Sequence, residues 1–330
     1  IHAESKEKSL NQTYVFRSSK LSANEMLEYF KSWDISYAEP HFLYLTNQNQ
    51  SENHELTPND ELFYGYQWNL PVTETRDGWT ISKGSEDVIV AVIDTGVDLN
   101  HSDLQGRLTD GLNVIVEGQP PMDDVGHGTH VAGVISALVN NNEGVAGMSW
   151  YNRVMPVKVL DQSGAGTTYA GAQGIIWAVD QGASVINLSL GNYANAAFLH
   201  DAIKYAYERD VVIVAATGND STSQPGYPAA YPEVLAVSAV DQNQKLASFS
   251  NYGHYVDVVA PGVSIASTYT DNRYAALSGT SMASPHVAAL AAMIRSRNPA
   301  LTNEGVMQII RATATDLGGE GKDHYYRDGQ

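Results

Sequence analysis

The sequence predicts an α/β protein built on a doubly wound parallel sheet, with a small α+β unit in front of it. Three observations carry this. Unbroken apolar runs recur along the chain: "VIVAVI", "VMPVKVL", "ASVINLSL", "VVIVAA" and "EVLAVSAV". A strand wetted on one face alternates polar and apolar residues, whereas continuous runs suit parallel strands covered on both faces. Helix-like segments lie between several of the runs, namely "GTHVAGVISALV", "AGAQGIIWAVD" and "AFLHDAIKYAYER". Strand–helix alternation of this kind implies right-handed crossovers. Finally, the style changes near residue 57, after a polar, turn-prone stretch, "NQNQSENHEL".

The front unit has its own elements. "TYVFRSS" reads as a strand. In "SANEMLEYFKSW", Ser22 and Glu25 form a capping-box pattern, and Met26, Leu27, Phe30 and Trp33 recur at helical spacing. "ISYAEPHFLYLT" is strand-like, with Pro40 marking an edge or a bulge. Residues 47–56 read as a linker, so the chain divides into residues 1–56 and 57–330.

Composition narrows the function. The 330 residues suit one large domain and a small companion, and a net charge of −18 disfavours a nucleic-acid partner. The chain has no cysteine, which removes disulfides, thiolate metal sites and a thiol nucleophile. No run approaches the length of a membrane span. The opening "IHA" fits the remnant of a removed export signal, and the acidic surface fits a secreted monomer.

On a doubly wound sheet, ligands sit at the carboxyl ends of the strands. Four features fall there or at helix starts. "VIVAVIDTGVD" ends its apolar run on Asp94. A strand-end carboxylate either caps a turn or serves a buried donor. "GHGTHVAG" presents His127 and His130 at a glycine-flanked helix start. They read as a metal pair or as a base, although no third ligand follows in the H-E-x-x-H pattern. "VVIVAATGND" places Asn219 just past a buried strand, where its amide can face an oxyanion. "LSGTSMASPHVAALAAMI" sets Ser281 among small residues where an apolar helix begins. Ser281 is either an N-cap or a nucleophile. A serine nucleophile needs an imidazole to take its proton and a carboxylate to hold that imidazole.

The stretches "VIDTGVDLNHSDL", "HGTHVAG", "NLSLG", "AATGN", "ASFSNYG", "VVAPGVSI" and "GTSMASPHVA" together resemble the subtilisin family of serine proteases, the subtilases. The resemblance implies a serine endopeptidase acting on polypeptides through an acyl-enzyme. In it Asp94 orients, His127 is the general base and acid, Ser281 is the nucleophile, and Asn219 and the Ser281 N–H stabilise the oxyanion. His130, Ser284 and Pro285 become structural. Gly164, Ala165 and Gly166, with Ser189, Leu190 and Gly191, match the segments that clamp an extended peptide. The primary pocket is then walled by Leu190, Gly191, Ala216, Thr217, Gly218, Gly226 and Ala229. It favours large apolar side chains, while Asp220 at the rim admits some Lys or Arg and Asn192 replaces a glycine frequent beside the pocket.

The same resemblance implies a Ca²⁺ ion held by Asp60, Asp103 and Asn141, with backbone carbonyls of Val139, Glu143 and Val145; hard oxygen donors suit that ion. A second cation site near Ala229, Tyr231 and Val234 follows by analogy. The front unit resembles an inhibitory propeptide, with processing expected inside 47–57, after Leu56. "DLGGEGKDHYYRDGQ" resembles the family's closing stretch, so residues 57–330 are expected to lack its last helix. The rival reading is a catalytically silent scaffold, or a zymogen held shut by its own front unit; the intact triad argues against the silent scaffold.

Overall fold

The computed structural model describes residues 5–9, 13–17, 28, 30, 56–326 and 328–330. The chain divides into two units, residues 1–53 and 54–330. In the first, β1 (Ser5–Ser9) and β2 (Thr13–Arg17) pair antiparallel, with Ser9 opposite Thr13. β2 is the "TYVFRSS" strand, and β1, polar and charged, carried no strand signal. Glu28 and Phe30 are helical within the capping-box segment. The expected strand over 35–46 and the linker up to residue 55 lie outside the described residues.

The second unit opens with three short helices, α1 (Phe63–Tyr66), α2 (Asn69–Val72) and α3 (Thr75–Ile81). Seven parallel strands follow: β3 (Ile89–Asp94), β4 (Leu112–Asn113), β5 (Arg153–Lys158), β6 (Val185–Leu188), β7 (Val212–Ala216), β8 (Leu235–Val240) and β9 (Val258–Pro261). Their spatial order is β4-β5-β3-β6-β7-β8-β9. The chain leaves β3 towards β5 and returns on the other side to β6. The carboxyl ends of β3 and β6 therefore flank the point where the winding reverses, where such sheets leave a crevice.

The unbroken apolar runs have a direct cause. Along β3, Val90 and Val92 join one core, while Ala91 and Ile93 join another on the opposite face. Helices α4 (His127–Ser136) and α7 (Thr280–Arg297) cover the first face, and α5 (Thr168–Asp180) and α6 (Ala197–Glu208) cover the second. The buried face of α7 is largely alanine, including Ala288, Ala289, Ala291 and Ala292. Those short side chains let one helix lie close to β6, β7, β8 and β9. Helix α8 (Asn303–Thr313) packs on α7.

Two features carried no sequence signal. An antiparallel hairpin, β10 (Ile265–Tyr269) with β11 (Arg273–Leu277), packs on α4. At the β9 edge, Val259 N–H donates to the Gly329 carbonyl at 2.8 Å, and Gln330 exchanges backbone hydrogen bonds with Thr315 at 2.7 and 2.9 Å.

Candidate active site

The strand-end carboxylate is the deepest part of the site. Asp94 closes β3 and is fully buried. Its Oδ1 accepts from His127 Nδ1 at 2.7 Å and from the Thr95 N–H at 2.7 Å. The turn-capping role and the imidazole-holding role thus coincide in one oxygen. Among the described residues, Asp94 Oδ2 has no hydrogen-bond partner.

His127 is the first residue of α4, and its helix start must come very close to the β3 end. Gly128 permits this: a Cβ there would lie 2.1 Å from the Gly96 carbonyl oxygen and 3.2 Å from Asp94 Oδ1. Burial pulls the His127 pKa down. The Asp94 charge, its hydrogen bond and the Asp123 charge together outweigh burial, and the net shift is upward. The imidazolium is therefore stabilised where a proton would arrive.

Asp123 was not foreseen. Its buried carboxylate accepts from Val125 N–H at 3.0 Å, Gly126 N–H at 2.9 Å and Thr95 Oγ1 at 2.8 Å through Oδ1. Its Oδ2 accepts from Thr129 N–H at 2.9 Å and Thr129 Oγ1 at 2.6 Å. One carboxylate thus ties the loop before α4, the β3 end and the first turn of α4 together. Buried Lys158, at the end of β5, donates to the Thr95 carbonyl at 2.7 Å and to Asp124 Oδ1 at 2.8 Å. His130 faces away from the cleft: its Nε2 bonds the Ile265 and Ala275 carbonyls at 2.9 and 3.1 Å, joining α4 to the hairpin. Burial pushes its pKa down to about 4, so it is neutral.

Ser281 does not cap its helix. The cap position of α7 is Gly279 and the first helical residue is Thr280, so the Ser281 N–H belongs to the first turn, which intrahelical bonds do not reach. Its hydroxyl donates to the Ser189 carbonyl at 3.2 Å, and Ser189 Oγ donates back to the Ser281 carbonyl at 2.8 Å. Asn187, also fully buried, donates to Ser189 Oγ at 2.9 Å and accepts from Ser284 Oγ at 2.7 Å. Ser284 is thus a strut between β6 and α7.

Asn219 follows β7. Its Oδ1 accepts from Thr280 N–H at 2.8 Å and Thr280 Oγ1 at 3.1 Å. That fixes the amide and leaves Nδ2 facing the space over Gly279. A Cβ built on Gly279 would stand 3.6 Å from Asn219 Nδ2 and 3.7 Å from the Ser281 nitrogen. Two N–H donors from different elements therefore converge where the chain carries no side chain. This accounts for the small residues ahead of α7.

Two cavities meet at this point. One, of about 270 Å³, is lined by Leu190, Gly191, Ala216, Thr217, Gly218 and Gly226 with Asn219, Asp220 and Ser281. Asn192 and Tyr193 line it too, and the Asn192 backbone pairs with Tyr227 at 2.9 and 2.7 Å. Ala229, expected in this wall, is not there: it is 1% exposed in the core beneath α5 and α6. The other cavity, of about 470 Å³, brings His127 together with Gly164, Ala165, Gly166, Ser189, Leu190 and Gly191.

The expected cation ligands gather elsewhere. Asp103 is fully buried; its Oδ1 accepts from Asn141 Nδ2 at 2.7 Å and its Oδ2 from the Val145 N–H at 3.0 Å. Asp60 Oδ2 accepts from the Asn140 N–H at 2.8 Å, while its buried Oδ1 has no partner among the described residues. Glu143 takes a hydrogen bond from Ser102 Oγ. Burial, with the Asp60 and Glu143 charges behind it, pushes the Asp103 carboxyl up to about 7. Among the described residues, no three His, Cys, Asp or Glu side chains form a ready cage. Three carboxylates, Asp60, Asp103 and Glu143, and the Asn141 amide gather here. At the second expected cation site, Tyr231 and Val234 pack in the apolar core with Ala229, and the Tyr231 carbonyl accepts from the Val234 N–H at 3.0 Å.

Residues 85–329 match the subtilase family. The chain belongs to that family. It is 47% identical over 296 residues to a thermophilic serine proteinase of Bacillus sp. strain AK1, covering 90% of this chain and 71% of that protein. It is 43% identical over 265 residues to thermitase of Thermoactinomyces vulgaris, covering 80% and 94%. It is 41% identical over 261 residues to the minor extracellular protease Epr of Bacillus subtilis, covering 79% and 40%. As a subtilase the chain is a serine endopeptidase, a hydrolase of polypeptides. Among the described residues no helix is long and apolar enough to cross a membrane.

Proposed function

We propose that this subtilase is a secreted, calcium-stabilised endopeptidase whose Asp94, His127 and Ser281 form the catalytic triad. The observation that carries this is the Asp94–His127 hydrogen bond, 2.7 Å long, beside a cavity that shares Leu190 and Gly191 with the one lined by Asn219 and Ser281. In the reaction, Ser281 Oγ turns from the Ser189 carbonyl and attacks the scissile carbonyl. Its proton goes to His127 Nε2. The developing oxyanion takes hydrogen bonds from Asn219 Nδ2 and Ser281 N–H. His127 then gives the proton to the leaving amine, and a water molecule repeats the sequence on the acyl-enzyme. Asp94 holds the imidazole by Nδ1.

Gly164, Ala165 and Gly166 on one side, and Ser189, Leu190 and Gly191 on the other, pair with an extended peptide. Leu190, Gly191, Ala216 and Gly218 then receive the side chain that precedes the scissile bond. Small, neutral walls around about 270 Å³ favour a large apolar residue. For Ca²⁺, the residues that would hold the ion are Asp60, Asp103 and Asn141, with the carbonyls of Val139, Glu143 and Val145. The unpartnered Asp60 Oδ1 and the buried Asp103 carboxylate, with no cationic side chain among the described residues bonded to either, fit such an ion. It would neutralise buried charge and take no part in hydrolysis.

The front unit, residues 1–56, is read as an inhibitory propeptide, with processing inside 47–57. Leu56 is partly buried against the catalytic core, a contact that a cut after Leu56 would release and a slightly earlier cut would keep. The enzyme is read as a monomer. The deciding experiment is labelling with a fluorophosphonate. Modification of Ser281, together with loss of peptide hydrolysis in Ser281→Ala, is the expected result; hydrolysis that survives in Ser281→Ala would overturn the assignment.

A further inference from the structure

The primary pocket contains a bond that the proposed mechanism does not use. Tyr193 Oη donates to Asp220 Oδ2 at 2.5 Å and accepts from Asn251 Nδ2 at 3.0 Å. The two partners of the short bond come from different segments of the lining. Tyr193 lies on the segment that runs on from Ser189, and Asp220 on the one that follows β7. The ring crosses between them. A Cβ on Gly226 would stand 3.9 Å from Tyr193 Cε1, and a Cβ on Gly218 would stand 3.8 Å from its hydroxyl.

Both ends of the crossing are anchored by one fully buried amide. Asn251 Nδ2 also donates to the Thr217 carbonyl at 2.9 Å, and its Oδ1 accepts from the Asp220 N–H at 2.9 Å. Its own backbone N–H donates to the Gly218 carbonyl at 2.9 Å. The phenol, the Asp220 backbone and the wall carrying Asn219 are therefore set by the same residue. Burial and the Asp220 hydrogen bond both raise the Tyr193 pKa, so the phenol keeps its proton and remains a donor.

Asp220 is the single carboxylate among the residues lining this pocket. A free carboxylate at that place would attract a lysine or arginine side chain of the substrate. Here one of its oxygens is occupied by a short, charge-assisted hydrogen bond and its orientation is fixed. We propose that Tyr193 is a specificity-determining residue: its hydroxyl engages Asp220 Oδ2 and holds the carboxylate in one orientation, which weakens its pairing with a basic substrate side chain and tilts the pocket towards apolar ones. This rests on the reading of Ser281 and its pocket given above. Asp220 would by itself admit basic residues, and Tyr193 reverses that expectation.

The test compares kcat/KM for two peptides that differ only in Phe or Lys before the scissile bond. Tyr193→Phe keeps the ring and removes the donor. The Lys-to-Phe ratio should rise roughly fivefold at low salt, the upper end for a solvent-exposed ion pair. The gain should shrink in about 1 M salt, where the screening length falls to about 3 Å. It should vanish in Tyr193→Phe combined with Asp220→Asn. Asp220→Asn alone, a second route should Tyr193→Phe fold poorly, should change the ratio by less than about twofold, since the carboxylate is already engaged by Tyr193. An unchanged ratio in Tyr193→Phe, or an equal rise without Asp220, overturns the inference while Ser281-dependent cleavage of the Phe peptide stands. Cleavage of that peptide by Ser281→Ala overturns the site reading and this inference with it.

Discussion

Asp94 and Asp103 are both fully buried carboxylates, yet their surroundings differ in kind. Asp94 faces an imidazole that can carry a positive charge, with a backbone N–H beside it on the same oxygen. Asp103 faces an amide and a backbone N–H, with two further carboxylates close enough to push its pKa up. Burying a charge without a counter-charge is costly. The first site carries its counter-charge in its own sequence. In the proposed calcium reading, the second takes it from solution. The catalytic site should therefore be indifferent to cations in its chemistry, and the Asp60–Asp103 site should depend on them for stability.

The largest expected effect lies at the first site. Ser281→Ala should reduce kcat by about 10⁶, and Asp94→Asn by about 10⁴ through the wrong imidazole tautomer. Removing His127 in the Ser281→Ala background should add little, because these groups act as a unit. Single-turnover kinetics on one peptide would check all three.

The second effect is on stability. Saturating Ca²⁺ at about 1,000 times its Kd should contribute about 4 kcal/mol, or about 10 °C in Tm for a domain of this size. Asp103→Asn should invert in sign with conditions. It should be destabilising with Ca²⁺ present, and neutral or stabilising in a chelator, where it removes a buried charge. The metal-free protein should also lose stability as pH rises from about 4 towards about 7. The sign follows because the folded Asp103 pKa, about 7, lies above its ordinary value of 3.8, so the native state binds more protons in that window. Melting curves over pH, with and without chelator, measure both; identical curves would break the contrast between the two sites.

Asn219→Leu should cost on the order of 10²–10³ in kcat with KM little changed. The smallest effect concerns Asp123, whose charge helps to raise the His127 pKa. With His127 as the proposed base, activity should fall as pH drops through that raised pKa. Asp123→Asn should move the acid limb of kcat/KM to lower pH. A limb that stays in place would mean that Asp123 acts on the position of α4 and not on the charge of His127.

The strand ends and helix starts were legible in the sequence because each is written in a local pattern. β3, β5, β6, β7 and β8 overlap the apolar runs, and α4, α5 and α6 fall between them or beside them. Asp94 and His127 could be read from where runs stop and glycines begin. What stayed hidden is bonded across long separations. Asp123 sits in a polar loop, and its importance lies in Thr95, 28 residues away. Tyr193 reads as an ordinary loop tyrosine until Asp220, 27 residues on, closes against it. Ala229 sits three residues from Gly226, close enough in sequence to share the wall, yet it faces the core. The β10–β11 hairpin escaped notice because its strands are short and β11 is half exposed.

The pairing of Gly329 with Val259 has a consequence for self-association. An open sheet ends in two strands whose outer N–H and C=O groups can recruit any extended chain. A protease generates such chains continually, and a fragment captured on a sheet edge would be held without being cut. One edge of this sheet is β4, only two residues long, and the other is flanked by residues 328–330. Both are poor templates. At high concentration and in the presence of its own digestion products, the enzyme should therefore resist edge-to-edge aggregation, and substitutions that loosen residues 328–330 should show first as turbidity.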